Sequence, residues 1–304
     1  MSFNFLGVMP AITTKFNADL SIDHDFVREH VQWLVQHGAT AIIPCGSLGE
    51  GATLSFDEKI ALIKTCVAAV DVPVIPGIAA TSTADAVQLA QAAHAAGARG
   101  LMVLPPYLYV SDWREMKMHM SGVISATPLP CILYNNPVAY KTDFLPEQIA
   151  ELANGHANLA AVKESSTDVR RITWIRALLG DRLAIGVGVD DALLEGVAAG
   201  AQFWIAGLVN AFPAESVRLY DLARAGRHDE AFALYRWFLP LLRMDTVPKF
   251  VQLIKLVQAK VGMGSEIVRA PRLLLSGAER ASAEAEIATA LATLPTLQNL
   301  AGTE

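Results

Sequence analysis

Lys163 ends one of the apolar runs of the sequence, in the segment LAAVKESS. Burial among apolar residues lowers the pKa of a lysine, and the neutral amine that results can attack a carbonyl or an imine carbon. Lys163 is therefore a candidate for Schiff-base chemistry. From this feature alone, a strand-end lysine that pairs with the adjacent Glu164 explains the residue equally well.

Tyr134 ends a second apolar run, in the segment CILYNNP. A tyrosine hydroxyl at the end of a strand can carry protons to and from a Schiff-base intermediate. The alternative is an aromatic residue of the core whose hydroxyl finds a hydrogen-bond partner. Tyr134 is thus a candidate proton carrier for a reaction on Lys163.

The segment CGSLGEG, residues 45–51, follows another apolar run. Its glycines allow backbone N–H groups to approach a small anion, and Ser47 adds a hydroxyl. The segment is not a P-loop, because no Gly-Lys-Ser or Gly-Lys-Thr follows it. It is a candidate carboxylate-binding loop, and the alternative is a tight connection between a strand and a helix.

Asp190 lies in the segment GVGVDD after a further apolar run. A carboxylate there can contact a ligand, or it can cap the N-terminus of the helix that follows. Each of these four signals is modest alone. Their common placement at the ends of apolar runs favours an enzyme over a binding or structural protein.

These residues need a scaffold that brings the ends of several strands together. Eight short apolar runs alternate with longer amphipathic segments, and their near-continuous apolar character is typical of strands buried on both faces. The pattern predicts a (β/α)8 barrel with its active site at the carboxyl ends of the strands, and a doubly wound open sheet is the alternative. The runs are residues 7–12, 41–45, 73–77, 100–104, 131–134, 159–163, 183–186 and 202–205.

Helix-start signals support the segments between these runs. Ser55 and Ser111 stand where an N-cap residue is expected, and Pro146 stands at a first turn. The predicted helices of the barrel include residues 23–37, 56–70, 83–96, 112–126 and 168–179.

The pattern changes after about residue 226. Residues 229–243, 246–262 and 279–296 have helical patterns with no strand between them. We therefore predict a barrel over residues 1–226 and a C-terminal helical appendage, packed on the barrel, over residues 227–304.

The composition excludes several classes of protein. Hydrophobic residues make up 53% of the 304 residues, and the net charge of −6 comes from interspersed acidic and basic residues, so a nucleic-acid surface is not expected. No apolar stretch reaches about 18 residues and no signal peptide is evident, which predicts a cytoplasmic protein without membrane spans. The three cysteines and seven histidines lack the spacing of metal ligands, so no metal site is expected.

These motifs resemble those of a known family, the Schiff-base barrel enzymes that include dihydrodipicolinate synthase and N-acetylneuraminate lyase. GSLGE resembles the family's G-[ST]-x-G-E loop, YNNP its Y-N-x-P motif, and VKESS its lysine-bearing strand. The likeness runs from GVMPAITTKFN to the C-terminal helices. It implies a TIM-barrel lyase that acts on a small carboxylate substrate, needs no metal or organic cofactor, and forms a homotetramer built as a dimer of dimers.

The resemblance also implies a role for individual residues. Lys163 falls on the Schiff-base lysine and Tyr134 on the catalytic tyrosine, with Ser47 as a further catalytic residue. The positions that the resemblance assigns to substrate binding are Gly46, Ser47, Leu48, Gly188, Asp190 and Ile205, the last through its main-chain carbonyl.

Three departures from the synthase pattern affect the expected reaction. Leu48 stands where synthase members have threonine, Leu108 where a neighbouring subunit would donate a second tyrosine, and Ala139 where a substrate-binding arginine belongs. An apolar leucine cannot pass protons, so the synthase reaction is disfavoured. Tyr107 or Tyr109 could supply the hydroxyl that Leu108 lacks.

The fuller pattern, with YNNPVAYKTDFLPE and GVDDALLEG, is similar to a narrower subgroup. That subgroup, the 1-pyrroline-4-hydroxy-2-carboxylate deaminases, belongs to bacterial hydroxyproline breakdown and yields 2,5-dioxopentanoate and ammonia. The similarity implies that Lys163 exchanges imines with the substrate, that the C4 hydroxyl leaves with help from Asp190, and that ammonia is released. The alternatives are a 2-keto-3-deoxy sugar acid aldolase or dehydratase, a dihydrodipicolinate synthase-like enzyme and, more distantly, a non-catalytic metabolite-binding barrel.

Overall fold

Seven parallel strands form one curled sheet in the computed structural model, which describes residues 4–106 and 109–295. Their order is β1-β7-β6-β5-β4-β3-β2, so each strand from β2 to β7 lies beside the next one along the chain, and β7 returns to β1. The strands are β1 Gly7–Pro10, β2 Gly77–Ile78, β3 Leu101–Val103, β4 Cys131–Asn135, β5 Leu159–Glu164, β6 Ala184–Val187 and β7 Phe203–Ala206.

A short extended segment fills the gap between β1 and β2. The Ile43 N–H donates to the Pro10 carbonyl at 2.9 Å, and the Ile75 N–H donates to the Ile42 carbonyl at 2.8 Å. The predicted runs 41–45 and 73–77 are therefore in the right place, but Ile42, Ile43 and Val74 form isolated parallel bridges, and only Gly77 belongs to a strand. Both runs contain prolines, which lack the N–H that a ladder requires. The arrangement is the predicted barrel-like α/β fold.

Helices lie between the strands at the positions that the amphipathic segments predict. Ser55 forms a capping box with Glu58, and Pro146 occupies the first turn of its helix as expected. The cap predicted at Ser111 is wrong by one residue, because the Asp112 carboxylate accepts from the Glu115 N–H instead. The helices of this part of the chain are α1 His24–Gln36, α2 Phe56–Ala69, α3 Thr83–Ala95, α4 Trp113–Ser125, α5 Pro137–Tyr140, α6 Pro146–Gly155, α7 Arg170–Leu179, α8 Leu193–Ala198 and α9 Pro213–Arg224.

Three further helices follow, α10 His228–Leu242, α11 Phe250–Lys260 and α12 Gly277–Ala292. α11 begins at Phe250 rather than at residue 246, because a turn that contains Pro248 follows the 3₁₀ turn Arg243–Asp245. α10 packs on α9, and the Trp237 indole N–H donates to the Ala290 carbonyl of α12 at 3.1 Å. The boundary at residue 226 stays a prediction. Within residues 4–106 and 109–295, none of the helices combines the length and apolar character needed to cross a bilayer.

A buried ion pair joins α11 to the 45–51 loop. Lys255 Nζ lies 2.5 Å from Glu50 Oε1, and the two side chains are 2% and 0% exposed. The Arg269 N–H donates to the other Glu50 oxygen at 3.0 Å, and Lys255 also donates to the Ile267 carbonyl. Breaking one side of such a pair leaves a charge that water cannot reach. Glu50 therefore ties the candidate carboxylate loop to the C-terminal helices.

We expect Glu50→Gln to lower the free energy of unfolding by about 3–5 kcal/mol, because it leaves the Lys255 ammonium buried without a carboxylate. Urea denaturation of the variant and the parent measures the difference. Asp25→Asn is the matched control, since the Asp25 side chain in the Arg28 ion pair is 86% exposed. Equal losses in the two variants would contradict a special role for burial of the Glu50 pair.

Candidate active site

Lys163 and Tyr134 lie side by side on neighbouring strands. They are register partners of β5 and β4, and Lys163 Nζ lies 4.2 Å from the centroid of the Tyr134 ring. Both side chains are buried. The alternative pairing of Lys163 with Glu164 is not formed, because the Glu164 carboxylate accepts from Asn135 Nδ2 at 3.1 Å and from the Ser166 N–H at 2.6 Å. Successive strand residues point to opposite faces, so the two side chains diverge.

The surroundings of the Lys163 amine make its neutral form easier to reach than in an ordinary lysine. Burial lowers the pKa of Lys163 to about 8, and the carboxylates of Asp245 and Asp190 oppose that shift. Burial also raises the pKa of Tyr134 to about 12, although Asn136 Nδ2 donates to its hydroxyl at 3.0 Å. Near neutral pH the site thus holds a tyrosine that keeps its proton beside a lysine that releases its proton readily.

Ser47 and Tyr134 are connected through a second tyrosine. The Ser47 hydroxyl hydrogen-bonds the hydroxyl of Tyr140, which ends the short helix α5. The Tyr140 ring packs edge-to-face on Tyr134, with centroids 5.7 Å apart, and its hydroxyl acts on the Tyr134 pKa as a hydrogen-bond partner. Tyr140 was not predicted as a site residue from the sequence, although the motif YNNPVAY contains it.

Two of the predicted binding residues form the start of the 45–51 loop. A Cβ atom placed on Gly46 would meet only Met102 Cε, at an ordinary 3.6 Å. The packing of the protein therefore does not require glycine there, which leaves the close approach of a ligand as a reason for the residue. Leu48 is buried, so its apolar side chain belongs to the wall behind the loop.

Gly188 follows β6 and lies against the stem of Lys163. A Cβ atom at this position would come within 2.6 Å of Lys163 Cε and 2.0 Å of the Ser165 hydroxyl oxygen. Such distances are far inside van der Waals contact, so any side chain at Gly188 would displace the lysine. The structure thus gives Gly188 a packing role at the reactive amine.

Asp190 is completely buried and holds the turn after β7. Its carboxylate accepts from Trp204 Nε1 at 3.0 Å, from the Gly207 N–H at 3.0 Å and from the Leu208 N–H at 2.8 Å. It makes no N-terminal capping bond in the 3₁₀ turn that it begins. Three backbone and side-chain donors already satisfy the carboxylate, and its contact with a substrate stays a prediction.

The structure shows no contact between the remaining predicted positions and Lys163 within the described residues, and two of these positions lie outside those residues. Ile205 is buried on β7 opposite Met9. Ala139 is exposed on α5, and Tyr109 is 57% exposed. Tyr107 and Leu108 lie outside the described residues. No cluster of three or more histidine, cysteine, aspartate or glutamate side chains suited to a metal ion occurs in the described ranges.

A carboxyl group that the sequence reasoning missed also faces this region. Asp245 ends the 3₁₀ turn after α10, and a Cβ atom on Gly207 would lie 2.0 Å from its Oδ1. Its charge acts on the pKa of Lys163 and of Tyr134. The residue belongs to the predicted C-terminal appendage, so no pattern near the strand ends pointed to it.

Comparison with known proteins relates the whole chain to one family. The model of the "Dihydrodipicolinate synthetase family" matches residues 4–290. A 4-hydroxy-tetrahydrodipicolinate synthase of Geobacter metallireducens is 32% identical over 278 residues, which cover 91% of this chain and 95% of the relative. A crystal structure of dihydrodipicolinate synthase from Aquifex aeolicus is 27% identical, with a TM-score of 0.89, and the match covers 95% of this chain and 98% of that one. The Acinetobacter baumannii dihydrodipicolinate synthase, described as chloride inhibited and complexed with pyruvate, is 25% identical, has a TM-score of 0.89, and is matched over 94% of this chain and 99% of its own.

We expect the rate of imine formation on Lys163 to rise with pH and to level off above about pH 8, because only the unprotonated amine attacks a carbonyl. Borohydride trapping of pyruvate at a fixed short time, followed by intact mass, measures this rate. At pH values below the pKa of Lys163, most of the amine is charged. The rate of imine formation therefore falls about tenfold for each pH unit below that pKa. A rate that still rises up to about pH 10, as for an ordinary lysine, would contradict the assigned environment.

Proposed function

Because this chain belongs to the dihydrodipicolinate synthetase family, we propose that it is a lyase or deaminase that binds a small α-keto or α-imino acid as an imine on Lys163. One observation carries the proposal. The buried Lys163 amine, with its lowered pKa, lies 4.2 Å from the Tyr134 ring centroid at the carboxyl end of the sheet. A neutral amine beside a proton carrier is what imine formation requires.

The proposed substrate is 1-pyrroline-4-hydroxy-2-carboxylate, and the products are 2,5-dioxopentanoate and ammonia. Leu48 and Ala139 support this choice, because the loop then lacks a threonine and the α5 segment lacks the arginine expected for a second carboxylate. Gly46 and Ser47 bind the single carboxylate that the proposed substrate has. The Ile205 carbonyl faces the reacting atoms in the same scheme.

The reaction starts at the C2 imine of the substrate. The neutral Lys163 amine attacks C2, the ring nitrogen leaves C2, and the ring opens to a chain that carries an amine on C5. The new iminium acidifies C3, and Tyr134 transfers the C3 proton. The C4 hydroxyl departs as water, the C5 amine tautomerises to an imine, and its hydrolysis releases ammonia. Hydrolysis at C2 then frees Lys163.

We propose that protons move along Tyr134, Tyr140 and Ser47 within one chain. The Tyr140 contacts with Ser47 and with Tyr134 support this route. The relay therefore does not need the neighbouring-subunit tyrosine that Leu108 replaces. A homotetramer, as the family resemblance implies, stays a prediction that multi-angle light scattering checks directly.

Two other reactions use the same lysine and tyrosine. The name of the Geobacter relative favours 4-hydroxy-tetrahydrodipicolinate synthesis, whereas Leu48 and Ala139 disfavour it. A 2-keto-3-deoxy sugar acid aldolase or dehydratase is the other alternative, and it would release pyruvate or water rather than ammonia.

We expect the purified protein to release ammonia from 1-pyrroline-4-hydroxy-2-carboxylate, and Lys163→Ala to reduce the release to the rate without enzyme, because the imine cannot form. A coupled ammonia assay measures the reaction, and borohydride trapping shows the adduct on Lys163. Lys260→Ala, in a half-exposed ion pair of α11, is the control and should retain both. Pyruvate release from a keto-deoxy acid without ammonia release from the pyrroline would reject the proposed substrate in favour of an aldolase.

We expect Tyr140→Phe to lower kcat for ammonia release by about 100-fold or more, because it interrupts the hydroxyl chain between Ser47 and Tyr134. KM should change little, since the hydroxyl moves protons rather than binding the carboxylate. Steady-state kinetics with a thermal unfolding check measures this. Tyr109→Phe tests the competing route: a loss there, with full activity in Tyr140→Phe, would assign the relay to the exposed tyrosine instead.

A further inference from the structure

A carboxylate oxygen of Asp245 is buried without a hydrogen-bond partner. Within the described part of the chain, no donor satisfies Asp245 Oδ1, although solvent does not reach it. Buried polar atoms in folded proteins are nearly always paired, so an exception calls for a ligand or a chemical role. Asp190, the other buried carboxyl group of this region, differs sharply because Trp204 and two backbone N–H groups satisfy it.

The position of Asp245 beside Lys163 follows from two glycines. Asp245 lies against Gly207, just after β7, and the Lys163 stem lies against Gly188, just after β6. β6 and β7 are neighbouring strands whose pairing includes Val187 and Trp204. The carboxyl ends of adjacent parallel strands lie together, so the lysine and the unpaired carboxyl group border the same space.

The same surroundings favour the protonated form of Asp245. Burial and the neighbouring Asp190 raise its pKa, with a smaller contribution from Asp191, while Lys163 opposes the shift. Arg243, on the same turn, lies 3.8 Å from the Asp191 carboxylate rather than on Asp245. A carboxyl group whose pKa is raised in this way is suited to act as a general acid.

We propose that Asp245 is a catalytic residue, the general acid that protonates the C4 hydroxyl group of the substrate as that group leaves. This inference rests on the proposed function. It assigns to Asp245 the protonation of the leaving hydroxyl, a step for which the sequence alone suggests Asp190. Asp190 then acts as a positioning residue, because its hydrogen bonds hold the Gly207 turn against which Asp245 packs.

Atoms and electrons balance in the proposed elimination. Loss of the C3 proton from the Lys163 iminium leaves an enamine between the lysine nitrogen, C2 and C3. The nitrogen lone pair re-forms the C=N bond, the C2=C3 electrons shift to C3=C4, and the C4–O bond breaks. The departing oxygen takes that electron pair and the Asp245 proton and leaves as water. The proton that C5 loses in the following tautomerisation returns Asp245 to its acid form, and no oxidant or reductant is consumed.

We expect Asp245→Asn to release ammonia from 1-pyrroline-4-hydroxy-2-carboxylate at least about 100-fold more slowly than the parent, because the amide cannot protonate the leaving group. Borohydride trapping of pyruvate, and deuterium exchange at C3 of the analogue that lacks the hydroxyl, should stay within about twofold, since neither reaction breaks a C4–O bond. Glu230→Gln, at the start of α10 in an ion pair with Arg227, is the matched control and should leave all three rates unchanged.

A 4-fluoro analogue of the substrate separates acid catalysis from a structural effect. Fluoride departs without a proton, so Asp245→Asn should release it at nearly the parent rate. A parallel loss of imine trapping, fluoride release and ammonia release would overturn the proposal in favour of a structural role, and so would undiminished ammonia release. If the variant does not fold, the pH profiles of the parent protein test the proposal. Ammonia release by the parent should fall at high pH as Asp245 ionises, while fluoride release should not. Identical pH profiles for the two products would overturn the proposal. A parent that forms imines but releases no ammonia disproves the substrate itself, an outcome distinct from the failure of Asp245 alone.

Discussion

The removal of the Lys163 amine from water is the constraint on which the rest of this site depends. An ammonium group resists burial, and the protein resolves the conflict by lowering the pKa of the lysine rather than by pairing it with Glu164. The aromatic face of Tyr134 covers the amine and gives its charged form some compensation. Gly188 leaves the space that the lysine stem occupies. An amine held in this way is reactive because it is poorly solvated, and the neighbouring strands that exclude water also fix its direction.

The C-terminal helices take part in this arrangement, which a purely supporting appendage would not do. α11 supplies Lys255 to the buried Glu50 of the 45–51 loop, and the turn after α10 supplies Asp245 to the contact with Gly207 after β7. The Lys255–Glu50 pair is buried, and water does not reach Oδ1 of Asp245. A shift of these helices would therefore disturb the loop and the mouth at once. The predicted boundary at residue 226 marks a change of pattern in the chain, whereas the site draws on both sides of it.

The sequence was sufficient to predict the residues that belong to strands and the loops that follow them. Lys163 and Tyr134 end apolar runs, so the parallel arrangement alone places them together. The family inferred from their motifs is confirmed by the match over residues 4–290. Prolines in the predicted runs 41–45 and 73–77 left isolated bridges at Ile42, Ile43 and Val74, a local effect that residue types do signal. Tyr140 and Asp245 were missed for a different reason. Their positions depend on how a short helix and a distant turn pack against the sheet, and no periodicity in the chain records that packing.

The two missed residues change the meaning of the departures from the synthase pattern. Leu48, Leu108 and Ala139 by themselves suggest a site that has lost a relay and a second carboxylate contact. Tyr140 adds a hydroxyl beside Ser47 from the same chain, and Asp245, the proposed acid, adds a carboxyl group at the same end of the sheet as Lys163. Such a site lacks polar contacts for the far end of a long substrate but has the proposed acid near the lysine. It is therefore suited to eliminating a group from a short substrate. It is less suited to joining two carbon chains, which needs room and a contact for a second molecule. The gains and losses therefore favour elimination over condensation on the same imine chemistry.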